Sequence, residues 1–380
     1  MTRFASLLIS LFIPLVTFFV GKRILGGNKK AILLAFLSLM FPMTSYLGVG
    51  VNSDNLHNLL FGIAVILYLD LMKTGWSTKR SLSIGLVIGL DLLTKPQAYI
   101  LLPILFFSVL ARWQWREWRL IIKNLPFLFV PILLLAGWQE IPKFLIGNSE
   151  LGLTAYTARN TVYAGEHAFR TFLSGYLNTH LREMPVWYWG VFKWFGVILP
   201  RPLWWIANRL VGLSVIGLAL KLIRDIRKRQ ISLESRVIIF AILANFAYAA
   251  SLLWFDWQFY SEYGRSLGLQ ARYYYPLLST QLALLYLGLL HLAWNNKVAT
   301  WLSRGLIAFF LALHLGSLYT QIYSYYDLFP LSRLLTQISQ YKPFFAKGYW
   351  WFIWFSAYLT GIMTVVSLAL KNTSKKIKNV

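Results

Sequence analysis

The sequence predicts an all-α polytopic membrane protein with about eleven transmembrane helices. Two observations carry this prediction. The 380 residues are 58% hydrophobic and only 13% charged, where a soluble chain averages about 45–50% apolar and about 25% charged. Apolar runs long enough to cross a hydrocarbon core also recur along the chain, with Lys and Arg mostly confined to the short gaps between them. That distribution gives the net charge of +24 its meaning. It is a positive-inside pattern, with anionic membrane lipids rather than nucleic acid as the electrostatic partner. The chain has no cysteine, which excludes disulfides, thiolate chemistry and cysteine-bound zinc.

The runs place spans near 4–21, 31–50, 56–72, 81–95, 97–111, 124–140, 202–221, 236–255, 273–294, 300–319 and 349–370. The first has the basic flank and apolar run of a signal peptide. No small-x-small cleavage site follows, and Lys22, Arg23, Lys29 and Lys30 come next, so it is read as a retained helix. Pro96 separates two short runs, which are either two tilted helices or one broken hairpin. Lys73, Lys79 and Arg80 share a side with Lys22 and Lys30, as do Arg112, Arg116, Arg119 and Lys123. So do the basic cluster from Lys221 to Arg236, then Lys297, Arg304, and the tail residues Lys371, Lys375, Lys376 and Lys378. By the positive-inside rule this side is cytoplasmic, the C-terminus is inside, and an odd span count leaves the N-terminus outside.

Three regions result: N-terminal transmembrane helices in 1–140, an extracytoplasmic loop in 141–201, and C-terminal transmembrane helices with a basic cytoplasmic tail in 202–380. Within the loop, Trp187 to Phe195 is too aromatic for an ordinary span and reads as an amphipathic helix in the outer interface. Trp113 to Trp118 reads as its cytoplasmic counterpart. No internal repeat of the kind that marks many transporters is visible.

Chemistry-bearing residues are few. Asn52-Ser53-Asp54-Asn55-Leu56-His57 is a polar knot between apolar runs. Asp54 there is either a base or a ligand for a divalent cation, with His57 one turn on, or else Ser53 or Asp54 caps the next helix. Asp91 and Lys95 stand four apart near a helix end, as a charge pair or with Lys95 meeting the phosphate of an anionic lipid. Arg272-Tyr273-Tyr274-Tyr275-Pro276 joins a guanidinium, whose planar fork suits phosphate, to aromatic faces that suit sugars and isoprenoid chains. The same residues also make an ordinary interfacial anchor. Glu166, His167, Arg170, His180 and Glu183 match no metal-site spacing and read as solvated surface. His291 and His314 read as core or interfacial histidines, and Asp70 as a partner of Lys73. No Walker A loop, dinucleotide fingerprint or serine-hydrolase elbow is present.

Taken in order, several stretches resemble the GT-C superfamily of polyprenyl-phosphate-sugar-dependent membrane glycosyltransferases, in the branch related to protein O-mannosyltransferases and aminoarabinose transferases. The matching pieces are Asn52-Ser53-Asp54 before an apolar run, and Gly85–Leu93 leading into Thr94-Lys95-Pro96. They continue with Tyr188-Trp189-Gly190-Val191-Phe192-Lys193-Trp194, then Leu199-Pro200, and Gln270-Ala271-Arg272-Tyr273 running to Pro276. The resemblance implies a polyprenyl-phosphate sugar donor, an active site on the outer face of a prokaryotic inner membrane, and inverting transfer to an envelope glycan, lipid or protein. It implies Asp54 as catalytic, with or without a divalent cation as cofactor. Lys95, Arg272, Tyr273, Tyr274, His57 and Asp91 are then the substrate-binding set. Family members carry a leading helix and a first outer loop with an acidic catalytic residue. Neither is in this sequence, and the odd span count agrees with their absence, so the chain is expected to lack them. A transporter or flippase of lipid-linked glycans, or a non-catalytic scaffold, is the alternative function.

Overall fold

The computed structural model describes residues 2–112, 117–146, 166–193, 195–327, 329–340 and 342–374. The described residues are built almost wholly into helices. The first half runs α1 (Thr2–Leu25), α2 (Asn28–Leu39), α3 (Pro42–Gly48), α4 (Asp54–Thr74), α5 (Thr78–Leu92), α6 (Leu101–Arg112), α7 (Trp118–Ile132) and α8 (Trp138–Ile146). Then come α9 (Glu166–Arg182), α10 (Met184–Trp187), a hairpin of β1 (Val191–Phe192) and β2 (Val197–Ile198), α11 (Arg201–Arg227) and α12 (Leu233–Tyr263). The last four are α13 (Leu278–Leu292), α14 (Asn296–Tyr325), α15 (Leu331–Ser339) and α16 (Trp350–Ser374).

A helix stands at every predicted span. Among the described residues, eight helices are long and apolar enough to cross a membrane, or nine if α2 and α3, bent by 61°, form one span. The protein is therefore an all-α polytopic membrane protein. The two short runs around Pro96 are separate helices. α5 stops at Leu92, and the chain turns before a 3-10 segment, Pro96–Ile100, leads into α6. Proline's fixed φ and missing N–H set that break.

α4 and α13 form the interior of the bundle, whereas α16 shows nearly all of its surface outward, as a lipid-facing helix does. α1 packs on α2 and α4, α4 on α5 and α6, α5 on α7, and α11 on α13. Without a hydrophobic drive between helices in lipid, close contact of small residues holds such pairs. A Cβ on Gly217 would lie 1.9 Å from the Gly288 carbonyl oxygen, and one on Gly85 would lie 2.1 Å from that of Leu128. Only glycine permits these crossings.

Two local expectations change. Asp70 pairs with Arg23 through two bonds of 2.7 Å, while Lys73 donates to the Arg23 carbonyl oxygen at 2.6 Å. The aromatic stretch from Trp187 is not an interfacial helix: α10 ends at Trp187 and the chain folds into the β1–β2 hairpin. Lys193 and Phe195, both at positive φ, turn the hairpin, and Gly190 leaves room for Leu199 to pack against it. Trp189 and Phe192 are buried against Phe41 and Tyr46, so these aromatics are core. Trp113–Arg116, Glu150, Arg159, Trp194, the side chains of Glu166 and His167, and Lys375, Lys376 and Lys378 lie outside the described residues.

Candidate functional site

Asp54 opens α4. Asn52 makes the cap there, its side-chain oxygen accepting from the Asn55 N–H at 3.2 Å, and Ser53 makes no side-chain cap bond. Asn55 ties the knot inward, donating to Ser6 Oγ (2.7 Å) and the Leu47 carbonyl oxygen (2.9 Å). The Asp54 carboxylate is thus not spent on the helix end, and it accepts from Lys95 Nζ instead. Arg272 Nε stands 3.6 Å from the other carboxylate oxygen. Both of these atoms are buried without a hydrogen bond, so they face each other across a gap slightly too wide to close.

Tyr273 lies between the two cations. Lys95 Nζ is 5.3 Å and the Arg272 guanidinium carbon 5.5 Å from its ring centroid. Three elements far apart in sequence thereby meet at one end of the bundle: the start of α4, the turn after α5, and the 3-10 segment Ala271–Leu277 that precedes α13. In a 3-10 helix successive residues lie a third of a turn apart, so the three tyrosines diverge. Tyr273 flanks the cations, Tyr274 reaches His180 Nε2 (3.0 Å), and Tyr275 is buried and donates to the Tyr188 carbonyl oxygen (2.8 Å).

Asp91 and Lys95 do not pair with each other. With α5 ended at Leu92, the i to i+4 facing that a helix would give is lost. Asp91, fully buried, accepts from the His57 ring (Nδ1, 2.8 Å) and from Thr94 Oγ1 (2.9 Å). His57 Nε2 lies 3.4 Å from the Tyr248 hydroxyl. His57 and Asp91 therefore form a strut one turn below Asp54, out of reach of a ligand, and they position Lys95 rather than line the site. Thr94 and Tyr248 belong to the strut. Only the polar character of Thr94 and Tyr248 within apolar runs marked them in the sequence.

A divalent cation does not suit Asp54. Its carboxylate faces two cationic groups, whereas hard divalent ions need several oxygen ligands together. No three metal-ligating side chains gather among the described residues.

Among the described residues one hollow is lined by Arg272 itself, and two more are tied to the cluster through Tyr274. Arg272, Gln270, Tyr46 and Phe195 line a cavity of about 100 Å³. Past the 266–272 segment, a cavity of about 480 Å³ is lined by His180, Tyr176, Tyr260, Asp256 and Phe195, among others. His180 is half-buried there and not the solvated residue the sequence suggested, while Glu183 stays exposed. The third is an apolar groove of about 670 Å³ between α11, α12 and α13, with Tyr188, Asn208, Asn245 and Gln281 at its polar end. Gln281 ties that end to the site, donating to the Tyr274 carbonyl oxygen (3.1 Å) and accepting from the Tyr188 hydroxyl (2.5 Å).

His291 and His314 play no part. His291 lies 3.5 Å from Glu234, and His314 Nε2 bonds the Tyr358 hydroxyl at 2.7 Å. No known protein family, curated protein or solved structure matches this chain.

Proposed function

We propose that this protein is an integral-membrane glycosyltransferase that takes a sugar from a polyprenyl-phosphate donor at the outer membrane face and passes it to an envelope acceptor. The observation that carries this reading is the convergence of Lys95 and Arg272 on Asp54 against one tyrosine face. Two cations and one carboxylate leave the cluster with an excess positive charge in a partly buried setting, where an anion is the natural complement. The apolar groove behind Tyr274 and Tyr188 gives a lipid chain a place to lie. The resemblance of the Asn52–Asp54, Thr94–Pro96 and Gln270–Pro276 stretches to GT-C enzymes supplies the reaction. The same reading takes eleven spans, with the site outside and the C-terminal basic tail against anionic lipids inside.

In this mechanism an acceptor hydroxyl attacks the anomeric carbon of the donor sugar. Its proton passes to Asp54, the new C–O bond forms, and the bond to the phosphate oxygen breaks with its electron pair. Lys95 and Arg272 stabilise the charge that grows on the leaving polyprenyl phosphate, which is where such groups contribute most. Removing one charge-stabilising donor of this kind costs about 100- to 1000-fold in rate. In proteoliposomes with a labelled polyprenyl-phosphate hexose, Arg272→Ala is expected to lose transfer by that factor while keeping its melting temperature, and Arg272→Lys to recover part of it. Full transfer by Arg272→Ala removes Arg272 from the site. Movement of labelled lipid across the bilayer by the wild type, with no transfer, replaces the enzyme by a flippase.

A further inference from the structure

The 480 Å³ cavity that Tyr274 ties to the Arg272 cluster collects ring faces from four elements. α9 supplies Phe172 and Tyr176, α10 supplies Trp187, the turn of the hairpin supplies Phe195, and α12 supplies Tyr260. The rings are held in two groups. Phe172 packs on Tyr176 and Tyr260, with centroids 5.6 and 5.2 Å apart, and Trp187 packs on Phe195 at 4.7 Å. Each ring presents a face of partial negative charge.

One helical turn before Tyr260, Asp256 adds a full negative charge to the same wall. Both of its oxygens accept, Oδ2 from Ser266 Oγ and Oδ1 from the Leu267 N–H, each at 2.7 Å. That is the bonding of an ionised carboxylate. The two donors are neutral, so they fix the 266–267 backbone and leave the charge in place. The charge reaches the lining. Burial, the bond to Tyr274 and then Asp256 together raise the Tyr176 hydroxyl above the usual tyrosine range. His180 does not oppose it. Its Nδ1 lies 2.9 Å from the Tyr176 carbonyl oxygen, which only accepts, so Nδ1 carries a proton. Burial holds the ring below the usual histidine range, so it is neutral and Nε2 accepts from the Tyr274 hydroxyl at 3.0 Å.

Ring faces and a carboxylate in one wall attract a cation. The burial of the carboxylate selects its kind. Asp256 is 1% exposed, so a ligand in the cavity feels its charge without touching its oxygens. A primary ammonium has three N–H donors to satisfy, and this carboxylate does not reach them. A quaternary ammonium has none, and its charge is spread over methyl groups that pack on ring faces. We propose that this cavity binds a quaternary ammonium group, with the rings as an aromatic cage and Asp256 supplying the field. The inference goes beyond the proposed transferase and does not depend on it.

Choline and its uncharged carbon isostere, neohexanol, provide the test, since they share a shape and differ in charge. Saturation-transfer NMR on the full chain, in nanodiscs of phosphatidylglycerol that carry no choline headgroup, reads the binding of each. Choline is expected to saturate the wild type and to bind about tenfold or more tighter than neohexanol. Asp256→Asn keeps an oxygen for the Leu267 N–H and is expected to remove most of that difference while leaving neohexanol binding as it was. Gly175→Leu enters the cavity from α9, where a Cβ meets no described atom within 4 Å, and is expected to weaken both ligands. The proposal is overturned if choline does not saturate the folded wild type, if neohexanol binds as tightly as choline, or if Gly175→Leu binds choline as the wild type does. The comparison of the two ligands on the wild type decides even where Asp256→Asn does not fold. Phosphocholine separates the sources of the group: tighter binding than choline assigns the site to a lipid headgroup, and weaker binding to a free solute.

Discussion

Replacing Asp91 tests whether the buried strut holds the site together. In the folded protein its carboxylate accepts from the His57 ring at 2.8 Å and from Thr94 Oγ1 at 2.9 Å, with no solvent exposure. Both bonds end on the same oxygen, Oδ1, and Asp91→Ala removes it. Thr94 keeps a second acceptor, the Asp91 backbone carbonyl oxygen at 2.7 Å, so the main loss falls on His57. That ring is left with only the Tyr248 hydroxyl at 3.4 Å. Stranding a buried polar group costs about 1–3 kcal/mol, and here the bonds of both His57 and Thr94 to the carboxylate are lost. Asp91→Ala is therefore expected to lower stability by about 3 kcal/mol, more than a hundredfold in the folding equilibrium. Asp91→Asn retains an oxygen for His57 and Thr94 and is expected to cost about 1 kcal/mol. Equilibrium unfolding in mixed micelles measures both, and a double-mutant cycle with His57→Ala isolates the pair. A coupling of about 1–3 kcal/mol is expected, since contacting residues interact on that scale and distant ones add to within about 0.3–0.5 kcal/mol. Asn and Ala variants of equal stability, or a coupling near zero, refute the strut. If it stands, Asp91→Ala also loosens the turn that aims Lys95.

Two further outcomes are expected. Gly217→Val would place a Cβ 1.9 Å from the Gly288 carbonyl oxygen, forcing α11 off α13 by about 1.5 Å to reach ordinary contact, at a cost of about 1–3 kcal/mol or more. Gly212→Ala on the same helix, with nothing within 4 Å of its Cβ, should leave the melting temperature unchanged or raise it. For His180, whose folded-state protonation is depressed by burial, the unfolded chain takes up the proton first on acidification. Its contribution to stability is therefore complete above the free-histidine value of about 6.5 and is lost as pH falls below it. The fall in melting temperature between pH 7 and pH 5 should be shallower in His180→Gln.

The fold was legible because lipid imposes a simple rule on sequence: a long apolar run must become a helix. Helices accordingly stand at the predicted positions, and among the described residues eight of them, or nine with the bent pair, are long and apolar enough to cross a membrane. The site was legible one residue at a time and not in its pairings. Asp54, Lys95 and Arg272 were each visible as polar groups near span ends, yet their meeting depends on which helices pack together, and spacing carries no such information. The Asp91–Lys95 pair failed for a local reason, since the i to i+4 rule presumes that the helix continues and α5 ends at Leu92. The aromatic run after Trp187 failed for a different one. Interfacial and core aromatics are alike in composition, and only the packing of Phe41 and Tyr46 decides that Trp189 and Phe192 turn inward. The three tyrosines looked like one surface. The 3-10 turn splits them among the cations, the His180 cavity and the core.

The charge arrangement has one mechanistic consequence under the proposed function. Lys95 is bonded to Asp54, and Arg272 is held 3.6 Å from the same carboxylate. A phosphate arriving there needs the same donors and offers them a second anion. Lys95 and Arg272 then face two anions, the Asp54 carboxylate and the donor phosphate, and divide their bonds between them. Under the proposed function, donor binding thus draws Lys95 and Arg272 towards the phosphate and frees the Asp54 oxygens to accept from the attacking hydroxyl. The arrangement that stabilises the leaving group would therefore also order the reaction, since the Asp54 oxygens are released from Lys95 only when a donor phosphate has arrived.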